Sequence, residues 1–119
     1  AALRRAESSP AAPYYVRRAE EFLHQHAHTP ITMADLVRVS GCSARSLHVG
    51  FRRFRNTTPL TMLKHIRLDM VRTQLLQSES SNENITDIAS HNGFTHMSKF
   101  TAAYKARFGE LPSHTRKDR

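Results

Sequence analysis

A single cysteine, Cys42, is too few for an internal disulfide framework or a CxxC zinc site. It fits a reducing compartment. No apolar stretch approaches the roughly 18 residues that a membrane span needs. No secretory signal is visible, and no segment alternates convincingly enough to be a strand. Acid is scarce as well: ten Asp and Glu stand against eighteen Lys and Arg, for a net charge of +8 over 119 residues. That balance favours polyanionic partners, nucleic acid being the commonest. The length fits one domain with a small core that needs no staples. The first residue is Ala rather than Met, so a fragment or processed piece of a longer protein is expected.

Two stretches of the chain look like copies of each other. The first runs Ile31-Thr32-Met33-Ala34-Asp35-Leu36-Val37, then Ser40-Gly41-Cys42-Ser43, then Leu47 and Phe51, closing near Asn56 and Pro59. The second runs Ile85-Thr86-Asp87-Ile88-Ala89, then Asn92-Gly93-Phe94, then Phe100 and Tyr104, closing near Gly109 and Pro112. Gly93 follows Gly41 by 52 residues, whereas Phe100 follows Leu47, and Pro112 follows Pro59, by 53. Each copy is a short amphipathic run, a Gly turn and a longer amphipathic run, which is the outline of a helix-turn-helix.

Breakers and caps divide the rest. Residues 1–12, with Pro10 and then Pro13, read as a linker or disordered end. A helix from Pro13 to about Ala27 has an apolar face of Tyr15, Val16, Ala19, Phe22 and Leu23. Thr32 with Asp35 predicts a capped start. Gly41 predicts a turn at positive φ, Ser43 the next cap, and Asn56 a left-handed stop. Pro59 opens a long helix to about Gln77, with Leu63, Leu68, Val71 and Leu75 as its buried positions. Residues 78–83 read as a polar loop, and Asn84 with Asp87 repeats the Thr32–Asp35 pattern. A last pair follows: a helix from about His96 to Phe108, stopped by Gly109, and a short element begun by Pro112. The expected fold is all-α, with about seven helices: two helix-turn-helix subdomains, near 32–56 and 84–109, joined by a linker helix near 59–77. Gly50, inside the longer helix of the first copy, costs about 1 kcal/mol against Ala and is expected to loosen that helix.

Charge is distributed with a bias. Residues 43–56 hold Arg45, His48, Arg52, Arg53 and Arg55 and no acid; residues 88–109 hold His91, His96, Lys99, Lys105 and Arg107 and no acid. A surface without a task usually mixes signs, and acid here would repel phosphates. The joining helix, at 18–19 residues, would be about 28 Å long. Successive major-groove faces lie roughly 34 Å apart. A rod of that size would set two reading helices in adjacent turns of B-DNA, given some adaptation such as a bend.

The run Arg67-Leu68, Val71, Leu75-Leu76, Ile85-Thr86-Asp87-Ile88-Ala89, Gly93-Phe94, Phe100, Tyr104-Lys105, Phe108-Gly109 and Pro112-Ser113 resembles the signature of the AraC/XylS family DNA-binding domain. The resemblance covers about residues 14–116. Thr57-Thr58-Pro59 and residues 108–113 look closest to the XylS-like branch. The resemblance implies the C-terminal DNA-binding domain of a bacterial, cytoplasmic transcription regulator, usually an activator. It implies double-stranded DNA as partner, contact with RNA polymerase, and an N-terminal effector or dimerisation domain in the full-length protein, with this segment monomeric. Neither cofactor nor metal is implied. Mapped by position, the base-facing residues are Arg45, His48 and Val49 in the first copy and Met97, Ser98, Lys99 and Ala102 in the second. Phosphate contacts map to Arg52, Lys64, Thr101, Lys105, Ser113 and Arg116, with the helix starts at Thr32, Ser43 and Asn84. Asn56 stands where the family often has Gly.

Duller readings weigh against other motifs. The spacing of Phe51, Phe54, Phe100, Tyr104 and Phe108 makes them core rather than base-stacking rings. His24, His26 and His28 lack further ligands at zinc spacing. Ser46, His48 and Asp87 lack a nucleophile motif, so the chain is not read as an enzyme. Three classes stay open: a sequence-specific regulator, a non-specific or architectural DNA binder, and an adapter that contacts RNA polymerase or another partner.

Overall fold

A computed structural model describes residues 12–77 and 83–117. The expected linker at 1–12 lies almost wholly, and the loop at 78–83 mostly, outside the described residues. Within them there are seven helices and no strand: α1 Tyr14–His26, α2 Met33–Ser40, α3 Ala44–Arg55, α4 Pro59–Gln77, α5 Ile85–His91, α6 Met97–Phe108 and α7 Pro112–Lys117. The chain divides into two units, Ala1–Lys64 and His65–Arg119, with the division inside α4.

In the first unit α1 packs on α2 and α3. Val16, Ala19 and Leu23 of α1 are buried, as are Leu36 of α2, Leu47 and Phe51 of α3, and Leu63 of α4. The helix limits follow local chemistry. Thr32 Oγ1 accepts from Asp35 N–H at 3.2 Å, and the Asp35 carboxylate accepts from Thr32 N–H at 2.9 Å, a complete capping box. The backbone amide of Thr32 holds the Asp35 carboxyl below its ordinary pKa; desolvation opposes it, and the Thr32 hydroxyl and Arg38 add smaller support. Gly41 closes α2 at φ 76°, where a β-carbon would be strained. Asn56 closes α3 at φ 57°, the one non-glycine residue with positive φ among those described.

Gly50 marks a close approach of α1 to α3. It is buried, and a β-carbon there would stand 2.7 Å from Val16 Cγ2 and 2.9 Å from Tyr15 Cε2. The missing side chain lets α1 lie directly against the backbone of α3. At the end of α3, Arg55 adds a second tie to α1, donating from Nε and Nη2 to the Glu20 carboxylate at 2.8 and 3.0 Å.

In the second unit Leu68, Val71 and Leu75 of α4 form one cluster with Ile88, Ala89, Phe100 and Tyr104. Ile85, Phe94, Met97, Ala103 and Phe108 pack around it. Asn84 Oδ1 accepts from Asp87 N–H at 2.8 Å to start α5. Gly109 ends α6 at φ 76°. The Tyr104 hydroxyl, fully buried, donates to Thr115 Oγ1 at 2.7 Å, and Thr115 donates to the Glu110 carboxylate. Burial raises the phenol's pKa, with the Thr115 bond acting against it. This chain of hydroxyls secures α7 to α6.

Candidate nucleic-acid interface

Two short turns place the outer faces of α3 and α6. In the first, three residues (41–43) separate α2 from α3. Gly41 N–H donates to Val37 O at 2.9 Å, and the Ser40 hydroxyl, nearly buried, accepts from Cys42 N–H at 3.4 Å. Ser43 Oγ then accepts from Ser46 N–H and caps α3. In the second, five residues (92–96) separate α5 from α6. The two copies therefore fall out of step after their glycines, which accounts for the change of spacing from 52 to 53.

Beyond its glycine, that longer turn is held by Asn92, Gln74 and Arg67. Asn92 is buried; its Nδ2 donates to Ile88 O at 2.8 Å and to Gln74 Oε1 at 3.2 Å, while Gln74 Nε2 donates back at 3.4 Å. Gly93 has φ 93°, and the Arg67 guanidinium lies under it, 3.3 Å from where a β-carbon would stand. Burial lowers the pKa of Arg67, so its charge is held partly out of water. Phe94 then turns in against Phe100, with ring centroids 5.0 Å apart. Asn92 and Gln74 are 18 residues apart, so no local pattern marks them as a pair.

With their backs fixed by Leu47, Gly50 and Phe51, and by Phe100 and Tyr104, α3 and α6 expose their other sides. Arg45, His48, Val49 and Arg52 are all exposed, at i, i+3, i+4 and i+7, and so lie along one stripe of α3. Val49 is 55% exposed, a large apolar side chain set among charges. Ser98, Lys99, Ala102 and Lys105 are exposed on α6. Met97 is half-buried against the second core and Thr101 is half-buried, so neither lies fully on that surface. Lys64 on α4 and Ser113 on α7 are exposed, and Arg116 is half-buried.

The helix starts differ from one another. At α2 the Thr32 amide is already donated to a carboxylate. At α5 the first turn contains Asp87. At α3 and α6 the first turn holds no acid, and at α6 the N-cap residue His96 provides no side-chain cap. Of these starts, α3 and α6 are the electrostatically suitable ones for a phosphate.

Not all of the basic residues counted over 43–56 and 88–109 are available to a ligand. Arg55 is 14% exposed and committed to Glu20. Arg107 donates from Nε and Nη2 to Asp69 at 2.8 and 3.0 Å, a hydrogen bond that raises its pKa. His91 Nδ1 sits 2.7 Å from a Glu83 carboxylate oxygen. Arg53 lies over the ring of its neighbour Phe54, 5.5 Å from the centroid. The partners Glu20 and Asp69 are 35 and 38 residues from their arginines, which is why a count along one helix overstates its free charge. Among the described residues no group of His, Cys, Asp and Glu side chains could hold a metal ion, and no helix is long and apolar enough to cross a membrane.

Comparison with known proteins bears on this surface. A family model described as a helix-turn-helix domain matches residues 36–118. The probable thc operon regulatory protein of Rhodococcus erythropolis is 43% identical over 107 residues, covering 90% of this chain and 32% of its own length. The XylDLEGF operon transcriptional activator 2 of Pseudomonas putida is 32% identical over 98 residues, covering 82% of this chain and 62% of its own. The chain thus spans about a third of the first relative and under two thirds of the second. A crystal structure of a probable AraC family transcriptional regulator from Rhodopseudomonas palustris superposes with a TM-score of 0.84 at 30% identity, over 89% of this chain and 97% of that one. By family model, sequence and fold together, the chain belongs to the AraC/XylS family of helix-turn-helix, DNA-binding transcription regulators.

Proposed function

We propose that this domain reads a specific DNA sequence through two helices, α3 and α6, each placed in a major groove. The observation that carries the proposal is the outward stripe of α3. Arg45, His48, Val49 and Arg52 stand on one face of a helix whose opposite face is buried. Arg45 can fork onto guanine O6 and N7, and Val49 can meet a thymine methyl. On α6, Ser98, Lys99 and Ala102 face bases, with Met97 at the edge of that surface. Arg52, Lys64, Thr101, Lys105, Ser113 and Arg116, with the N-terminus of α3 at Ser43, hold phosphates and set register. Thr32 leaves this set because its amide is occupied, and Asn84 because the Asp87 carboxylate stands in the first turn of α5. The α6 face is short of long polar side chains, so it reads few bases and relies on backbone contact and DNA shape.

The whole regulator acts in the bacterial cytoplasm, activates transcription through RNA polymerase, and carries an effector or dimerisation domain outside this segment. It performs no catalysis. Support for activation comes from the relatives whose names describe them as transcriptional activators. The domain is taken as residues 13–119.

Selection from a random duplex library at near-physiological salt tests the DNA reading. Two short motifs centred about one helical turn apart are expected. Tight binding with no enriched motif would instead mark a charge-driven binder. On a selected site, Arg45→Ala should cost about 1–3 kcal/mol and relax one base position, whereas Lys64→Ala should weaken all sequences alike. Unchanged affinity and base preference in Arg45→Ala would remove α3 from the reading role.

A further inference from the structure

His48 Nδ1 lies 3.0 Å from the carbonyl oxygen of Ala44, one turn earlier in α3. A carbonyl only accepts, so in this contact the proton is on Nδ1. Neutral imidazole carries one ring N–H, and Nε2 is therefore left with a bare lone pair. The ring is exposed and lies on the same stripe as Arg45, Val49 and Arg52. None of those three can accept a hydrogen bond: two are guanidinium donors and one is apolar.

We propose that His48 is the acceptor of this reading helix and a specificity-determining residue. It recognises an exocyclic amine in the major groove, adenine N6 or cytosine N4, and discriminates against a base that presents an acceptor at that point. The stripe then carries three separate chemistries: donors from Arg45 for guanine O6 and N7, an acceptor from His48 for an amine, and an apolar contact from Val49 for a thymine methyl. The Ala44 carbonyl sets the choice, because it fixes which ring nitrogen bears the proton. The inference rests on α3 lying in a major groove, and it adds the class of base atom that this position reads.

Two measurements test it. Long-range nitrogen–proton NMR correlations of the free protein at neutral pH should show the His48 proton on Nδ1. A proton on Nε2 overturns the proposal whatever the protein does with DNA. On the selected site, His48→Ala should relax one base position. Replacing the base there with an analogue lacking the amine (purine for adenine, 2-pyrimidinone for cytosine) should weaken the unaltered protein about two- to tenfold, the range of one hydrogen bond. The same replacement should leave His48→Ala unaffected. Sensitivity to a 7-deazapurine instead, which lacks the N7 acceptor, overturns the proposal. So does a His48→Ala variant that relaxes nothing while Arg45→Ala still does. If neither variant relaxes a position, the reading role of α3 itself fails, and the assignment of His48 with it.

Discussion

Gly50 and Thr115 show how much single residues decide in this chain. At Gly50, an added methyl would meet Val16 Cγ2 at 2.7 Å, against a branched side chain that is itself fully buried. Helix propensity favours Ala by about 1 kcal/mol, whereas overpacking typically costs about 1–3 kcal/mol. Gly50→Ala is therefore expected to destabilise, by about 1 kcal/mol net. Denaturant unfolding checks this, and the cost should shrink in a Val16→Ala background, where the clashing methyl is gone. Thr115 is the buried link between the Tyr104 hydroxyl and Glu110. Thr115→Val keeps the shape but leaves the phenol without its acceptor, at a cost of about 1–3 kcal/mol. Adding Tyr104→Phe to Thr115→Val should recover part of the loss, since removing both partners costs less than stranding one.

The same sequence device starts α2 and α5, yet Asp35 closes the box around Thr32 and also meets Arg38 at 3.3 Å. Thr32→Ala should cost about 1 kcal/mol. Because the folded state lowers the pKa of Asp35, its contribution is complete above the ordinary carboxylate range. It is lost as the pH falls through the folded value. Asp35→Asn should accordingly be less stable than the unaltered protein at neutral pH, with the gap closing in acid; urea unfolding across pH reads both. A gap independent of pH would mean that Asp35 acts through something other than its charge. These limits were legible beforehand because a cap is a contact between residues three apart. Many of the helix limits follow from such local signals: the starts at Pro13, Thr32, Ser43, Pro59, Asn84 and Pro112 and the stops at Gly41, Asn56 and Gly109. The turn at 92–96 was not legible in the same way, since its two holders, Gln74 and Arg67, come from α4.

A net charge of +8 predicts DNA affinity that falls with salt, and the ion pairs of the fold predict which cations are withheld. Arg52 is exposed on the stripe, and Arg52→Ala should reduce the slope of log affinity against log salt by about one. Arg55→Ala removes the same formal charge but breaks the tie to Glu20 instead. Its expected signature is lower stability with the salt slope preserved, measured under conditions where the variant is still folded. Equal slopes for the two variants would show that the tie to Glu20 does not withhold Arg55 from the DNA.

The sequence alone determined the helical class, the duplicated helix-turn-helix, most of the helix limits and the family, because each of these is written in neighbouring residues or in a repeated spacing. It also marked Leu47, Phe51, Phe100 and Tyr104 as inward positions of α3 and α6, since a helix returns to the same side every three to four residues, but it set Met97 outward, where the structure half-buries it against the core. Tertiary structure decided what depends on residues far apart in the chain. It turned Gly50 from a weakness into the site where α1 meets α3, took Arg55 and Arg107 out of the pool of free charge, and stopped Thr32 from offering an amide to phosphate. It also set Gln74 and Arg67 beneath the second turn. In each case the partner lies elsewhere in the fold or in a specific hydrogen bond, and neither composition nor periodicity contains that geometry.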